Sequence, residues 1–242
     1  MTARGLFVTG TDTGVGKTRV AVSLIHALRA QGLRVAAMKP VSAGSAPRGD
    51  SDPLRAEARV ESYAPGELHE DVTALLQAAN VAADVRDVNP YAFEPAIAPH
   101  IAAEQAGVRI DLQVIAAAYA RLAEQADAVV VEGAGGWRVP LNEAEDMADL
   151  AQRLELPVVL VVGLRLGCLN HALLTAESIA SRQLPWAGWV GNQIDPTMAQ
   201  QAANIAALRA RLPGPCLGIQ PFQPQSLASP ATAPQWLMLP KS

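Results

Sequence analysis

Cysteine is nearly absent: Cys168 and Cys216 are the only two in 242 residues, and they form no CxxC pair. Two thiols in so long a chain do not make a secreted disulfide framework, and a cytosol that keeps them reduced is the simpler setting. Long apolar runs are missing too. The strongest, "LPVVLVVGL" at 156–164, falls far short of the ~20 residues that cross a bilayer. Leu6 to Val8 is too short for an h-region, and polar loop residues follow at once, so no signal peptide is expected. These absences predict a soluble, cytoplasmic protein. Charged residues make up only 17%, with a net charge of −4 and no basic stripe, which makes nucleic acid a poor partner. The four histidines, at 26, 69, 100 and 171, form no HxxxH or His/Cys cluster. Packing or surface positions suit them better than zinc. Internal repeats and splitting linkers are lacking as well.

Hydrophobic residues are abundant, at 50%. A core of that size is buried without disulfides or metal staples. One domain over 1–242 is expected, with a Pro-rich, coil-like tail at 222–242. Strand and helix patterns alternate along the chain. Strands are predicted at "GLFVTG" (5–10), "RVAAMKPV" (34–41), "DAVVVEGAGG" (127–136), "PVVLVVG" (157–163), "WAGWVGNQI" (186–194) and "CLGIQP" (216–221). Helices are predicted at 17–31, with Val20, Leu24, Ala27 and Leu28 on one face, and at 71–80, 110–126, 145–154, 170–182 and 198–212. Residues 42–69 are polar and rich in turn formers, so they read as a long loop. Near-continuous apolar strands separated by helices imply a parallel, doubly wound α/β sheet covered on both faces. Ligands of such sheets sit beyond the carboxyl ends of the strands.

The polar residues predicted at those ends are few. Gly10-Thr11-Asp12-Thr13-Gly14-Val15-Gly16-Lys17-Thr18 fits GxxxxGK[ST] between a strand and a helix. Its glycines let backbone N–H groups approach phosphate oxygens. Lys17 reaches the β/γ-phosphates, the Thr18 hydroxyl reaches Mg²⁺, and the helix start adds its positive end. The motif says nucleotide and leaves the reaction open. Lys39 ends the second strand; it either leaves the sheet for solvent or stabilises charge on a transferring phosphoryl group. Glu132 closes the third strand, beside Gly133, Gly135 and Gly136; it is a metal ligand or a loop carboxylate. Asp50, Asp52, Glu70 and Asp71 compete for a further metal position. Asp71 is preferred because it opens a helix, although a plain N-cap would look the same.

Asn192, Gln193 and Asp195 resemble a guanine-reading NKxD motif that lacks its lysine. An Asn amide reads adenine equally well. Gly167 to Asn170 lead into a helix whose free N–H groups suit a carboxylate or phosphate.

Together, "GTDTGVGKT", "KPV", "EDVTALLQ", "NPYAF…PAIAPHIAA", "VVEGAGGW.VPL", "PVVLVVGLRLGCLNHALLT", "AGWVGNQID" and "LGIQP" resemble the dethiobiotin synthetases, in order, over roughly residues 5 to 221. The resemblance implies a P-loop NTPase-like ligase of biotin synthesis. Its substrates would be 7,8-diaminononanoate, CO₂ and MgATP, and its products dethiobiotin, ADP and phosphate. It implies that Lys17 and Lys39 supply catalytic charge, and that Thr18, Asp71 and Glu132 hold Mg²⁺. Thr13 to Thr18, with Gly133 and Gly135, would surround the nucleotide's phosphates, and Asn192, Gln193 and Pro221 its base. It also implies a homodimer in which Gly167, Cys168, Leu169 and Asn170 bind the substrate carboxylate from the neighbouring subunit.

Three departures stand out. The segment between Lys39 and Asp71 is longer than the family's, which leaves Asp52 as an alternative ligand. Ala43 stands where some members carry a hydroxyl, with Ser42 one place earlier. "LGIQP" lacks the acidic residue expected there, so nucleotide selectivity is open.

Two other readings compete. A regulatory P-loop switch protein would favour guanine and the missing NKxD lysine. A cobyrinate-type amide synthetase would need a glutaminase domain, for which 242 residues leave no room.

Overall fold

The computed structural model of the chain describes residues 4–44, 68–223 and 234–240. Six strands form a parallel sheet: β1 (Arg4–Gly10), β2 (Val35–Met38), β5 (Ala128–Glu132), β6 (Val158–Leu164), β7 (Trp186–Gln193) and β8 (Cys216–Gln220). Their spatial order is β2-β5-β1-β6-β7-β8. A separate two-stranded parallel pair joins β3 (Val41–Ala43) to β4 (Tyr91–Phe93).

Alternation explains the layers. Successive strand side chains point to opposite faces. Phe7 of β1 belongs to one core with Val129, Val131 and Ile115. Its neighbour Val8 belongs to another with Val130, Val161, Val20 and Leu24. Helix α1 (Lys17–Ala30) covers the second face, and α5 (Leu112–Gln125) covers the first with Leu112, Ile115, Ala118 and Leu122. A third cluster beneath α7 (Cys168–Ser181) and α8 (Gln201–Arg211) gathers Leu160, Val162, Trp189 and Leu208.

The predicted strand 34–41 is broken. Lys39 N–H donates to Val88 O at 2.8 Å rather than to the sheet. Pro40 has no N–H to offer β5, so the chain leaves the sheet there and pairs with β4 instead. The predicted strand 127–136 stops at Glu132, where its glycines turn away. Residues 81–109, left without elements by periodicity, contain α3 (Val85–Val88), β4 and α4 (Pro99–Gln105). Helices α2 (Glu70–Ala78) and α6 (Met147–Arg153) occupy the predicted places. A capping box between Asp146 and Asp149 starts α6.

Part of the tail packs as coil. Met238 N–H donates to Leu217 O, and Trp236 lies so close to Gly218 that a Cβ there would strike its carbonyl oxygen.

Candidate active site

The strand order decides what meets what. β1 lies between β5 and β6, where chain connections diverge to the two sides of the sheet. The carboxyl end of β1 is therefore the switch point where a ligand is expected. The ends of β2 and β5 lie beside it, which brings Lys39 and Glu132 to the loop at 11–16.

That loop takes its shape from two glycines with positive φ, Gly14 at 75° and Gly16 at 88°. Val15 is buried between Gly10 and Gly163, at each of which a Cβ would overlap its methyls. Asn192 donates from Nδ2 to Val15 O at 2.8 Å, and the missing Cβ of Gly16 leaves room for that amide. No side chain caps α1 at Gly16. The N–H groups of its first turn remain available to phosphate oxygens. Lys17 folds back so that Nζ donates to Asp12 O at 3.1 Å. Burial, then the neighbouring Lys39, pull its pKa down to about 8. Arg165, at the end of β6, pairs with Asp12 at 2.6 Å and ties the loop to the segment before α7.

Behind the loop is a compact charge cluster. Lys39 Nζ lies 2.6 Å from Glu132 Oε1 and 2.8 Å from Asp71 Oδ2. Thr18 Oγ1 lies 2.7 Å from Asp71 Oδ1 and 2.9 Å from Glu132 Oε1. Burial alone would lower the Lys39 pKa, but Glu132 and Asp71 outweigh it and hold the ammonium above its usual range. Burial would raise Asp71, and Lys39 reverses the sign and holds it low. Glu132 has no exposure, and for it burial prevails over Lys39, so its pKa is raised. Asp71 owes its position to α2. His69 caps that helix, its Nδ1 accepting the Asp71 N–H at 3.1 Å. Sequence reading missed this role, because histidine is not among the usual N-cap residues.

The cluster opens into a cavity of about 780 Å³. Thr13, Gly14, Gly16, Lys17, Thr18 and Gly135 line one part, Lys39, Asp71 and Glu132 another, and Val41, Ala43, Ile97, Ala98 and Val139 add apolar surface. The donor set suits a divalent cation. The Thr18 hydroxyl has one proton but faces two carboxylates, and Glu132 Oε2 is buried without a partner among the described residues. Hard oxygen ligands of this kind match Mg²⁺.

Most other residues singled out from the sequence lie apart from the cavity. Gly133 packs against Phe7 and Met147, and Val15 is a loop anchor. Ser42 lines the cavity, yet its hydroxyl is buried and donates to Asn89 Oδ1 at 3.0 Å. Gln193 donates to Gln201 and accepts the Phe222 N–H, which holds the segment after Pro221. Gly167, Cys168, Leu169 and Asn170 do not line this cavity. Gly167 is left-handed at φ 93° and α7 has no side-chain cap. Asp50 and Asp52 lie outside the described residues.

A family profile described as an AAA domain matches residues 4–229. The ATP-dependent dethiobiotin synthetase BioD of Nitrosospira multiformis is 50% identical over 219 residues, 90% of this chain and 88% of that protein. The chain belongs to the dethiobiotin synthetase family. Its counterpart from Xanthomonas euvesicatoria pv. vesicatoria is 46% identical over 97% of both chains. These synthetase relatives do not favour the regulatory-switch alternative. The MinD cell division protein of Aquifex aeolicus shares the fold alone, at 16% identity and a TM-score of 0.53, over 92% of this chain and 84% of that one. Among the described residues no helix is long and apolar enough to cross a membrane.

Proposed function

We propose that this chain is an ATP-dependent cyclo-ligase that makes dethiobiotin from 7,8-diaminononanoate and CO₂, releasing ADP and phosphate. The observation that carries the reading is the convergence of Lys17, Lys39, Thr18, Asp71 and Glu132 on one cavity that also has an apolar stretch of wall at Val41, Ala43, Ile97, Ala98 and Val139. Such a wall suits the aliphatic chain of a diamino acid, and the charged end suits a triphosphate.

One substrate amine adds to CO₂ and loses a proton, giving a carbamate. A carbamate oxygen attacks the γ-phosphorus and ADP leaves. The second amine then attacks the carbonyl carbon, phosphate departs, and the ureido ring closes. The protein has little covalent work to do. Its loop amides and Lys17 hold the phosphates, and Lys39 offsets charge on the moving group. Thr18, Asp71 and Glu132 would hold Mg²⁺, which when bound supplies further charge neutralisation. Asn192, Gln193 and the Pro221 segment would receive the adenine.

We place the reaction in the cytoplasm and assign a homodimer. Support for the dimer comes from Leu166 and Leu174, 93% and 58% exposed on either side of the Gly167–Asn170 helix start. In that dimer we assign the helix start to the substrate carboxylate of the neighbouring copy. The test is ATP turnover with dethiobiotin detected as product. ATP should be consumed only when both bicarbonate and the diamine are present. Equal turnover without the diamine rules out the ligase reading.

A further inference from the structure

Lys39 stands on one oxygen of each carboxylate that would hold a metal. Its ammonium contacts Glu132 Oε1 and Asp71 Oδ2, and the same Glu132 oxygen also faces the Thr18 hydroxyl. The Lys39 and Glu132 side chains are 5% and 1% exposed, so water screens them little. A lone pair that accepts an N–H bond does not coordinate a metal at the same time. Two cations held on one buried carboxylate also repel strongly at low dielectric. That repulsion acts on a metal at either oxygen of Glu132, at Oε1 beside the ammonium or at the unpartnered Oε2, as long as Lys39 stays in place.

We propose that Lys39 is a built-in counter-cation for the metal-free carboxylate pair, displaced when the metal arrives. The inference rests on the reading above for the identity of the metal ligands and goes beyond it in coupling Lys39 to the metal. Without a metal the ammonium compensates the charge of two carboxylates, Glu132 fully buried and Asp71 partly so, whose other contact here is the neutral Thr18 hydroxyl. Lys39 lines the cavity, so a displaced ammonium can turn toward the phosphate groups. Metal binding thus turns Lys39 from a structural partner into a group that contacts the reacting phosphoryl. It also follows that the metal alone binds weakly, and that the polyphosphate oxygens make up the difference.

The test is titration of the full chain with Mn²⁺ alone, without nucleotide, followed by electron paramagnetic resonance. Lys39→Met should bind Mn²⁺ about tenfold tighter than wild type or better, because a competing buried charge is gone. Equal or weaker binding overturns the proposal. Should that variant fold poorly, ¹⁵N-lysine-labelled wild type provides a second measurement. The buried Lys39 ammonium signal should move as Mg²⁺ saturates the site, and an unmoved signal overturns the proposal. Asp71→Asn and Glu132→Gln separate the two kinds of failure. If both bind Mn²⁺ as wild type does, the ligand assignment falls. If they lose it while Lys39→Met is unchanged, only the displacement falls.

Discussion

Asn192 Nδ2 donates to the backbone carbonyl of Val15 at 2.8 Å, so the end of β7 holds the phosphate loop in shape from beneath. The loop's own glycines permit that shape, and this bond selects it. Asn192→Ala leaves the Val15 carbonyl buried and unpaired, at a cost of about 1–3 kcal/mol. Calorimetry with a non-hydrolysable ATP analogue should show affinity reduced by about tenfold. Unchanged affinity would remove Asn192 from loop support. Gly16→Ala should be worse, because it adds a strained positive φ to the collision with the Asn192 amide.

Lys17 yields a pH prediction. With a pKa of about 8 in the free protein, it is charged below that pH and neutral above. kcat/KM for ATP reports the free enzyme, so it should fall as pH rises through about 8. Lys17→Arg should push that limb upward, and a limb that stays in place assigns it to another group. Lys17→Ala should cost ~10²–10³ in kcat. For folding the sign is the reverse. Between about 8 and 10.5 the unfolded chain binds more protons at this site, so Lys17 ceases to oppose folding as pH rises. Lys39, held above its usual range, contributes stability that is lost only at still higher pH.

Asp71 and Asp52 are separable. Asp71→Asn removes the negative charge and one of the two oxygens that accept from Thr18 and Lys39. The Mg²⁺ concentration for half-maximal turnover should rise for Asp71→Asn and stay put for Asp52→Asn. The opposite pattern would move the ligand into the 45–67 segment.

The proposed dimer makes its own prediction. Leu174→Glu places a charge on an exposed leucine of α7 and should give monomers in sedimentation. KM for the diamine should rise while KM for ATP changes little. A monomer with unaltered diamine KM would mean that each chain completes its own site.

Much of the site was legible. The Gly10–Thr18 motif has fixed spacing and local geometry, so residue order alone specifies the shape of the loop there. Lys39 and Glu132 were legible as residues terminating apolar strands. The pairing of Lys39 with Asp71 and Glu132 was not, because β5 inserts between β2 and β1 and residue order is silent on strand order. The break at Pro40 was hidden for a related reason: Val41 continues the apolar run, but its partner is β4, a strand of three residues too short to show a period.

The sequence by itself determined a parallel α/β sheet, a phosphate loop at its first turn, and membership of a biotin-synthesis family, because hydrophobic period and close-spaced motifs are local properties. Only the tertiary structure decided that an ammonium from residue 39 and carboxylates from 71 and 132 share one buried pocket. It also decided that Asn192 braces Val15 and that Ser42 is committed to Asn89. Those facts depend on which strands lie side by side and on how deeply charge is buried. Both are set by the packing of the whole chain and not by any one segment of it.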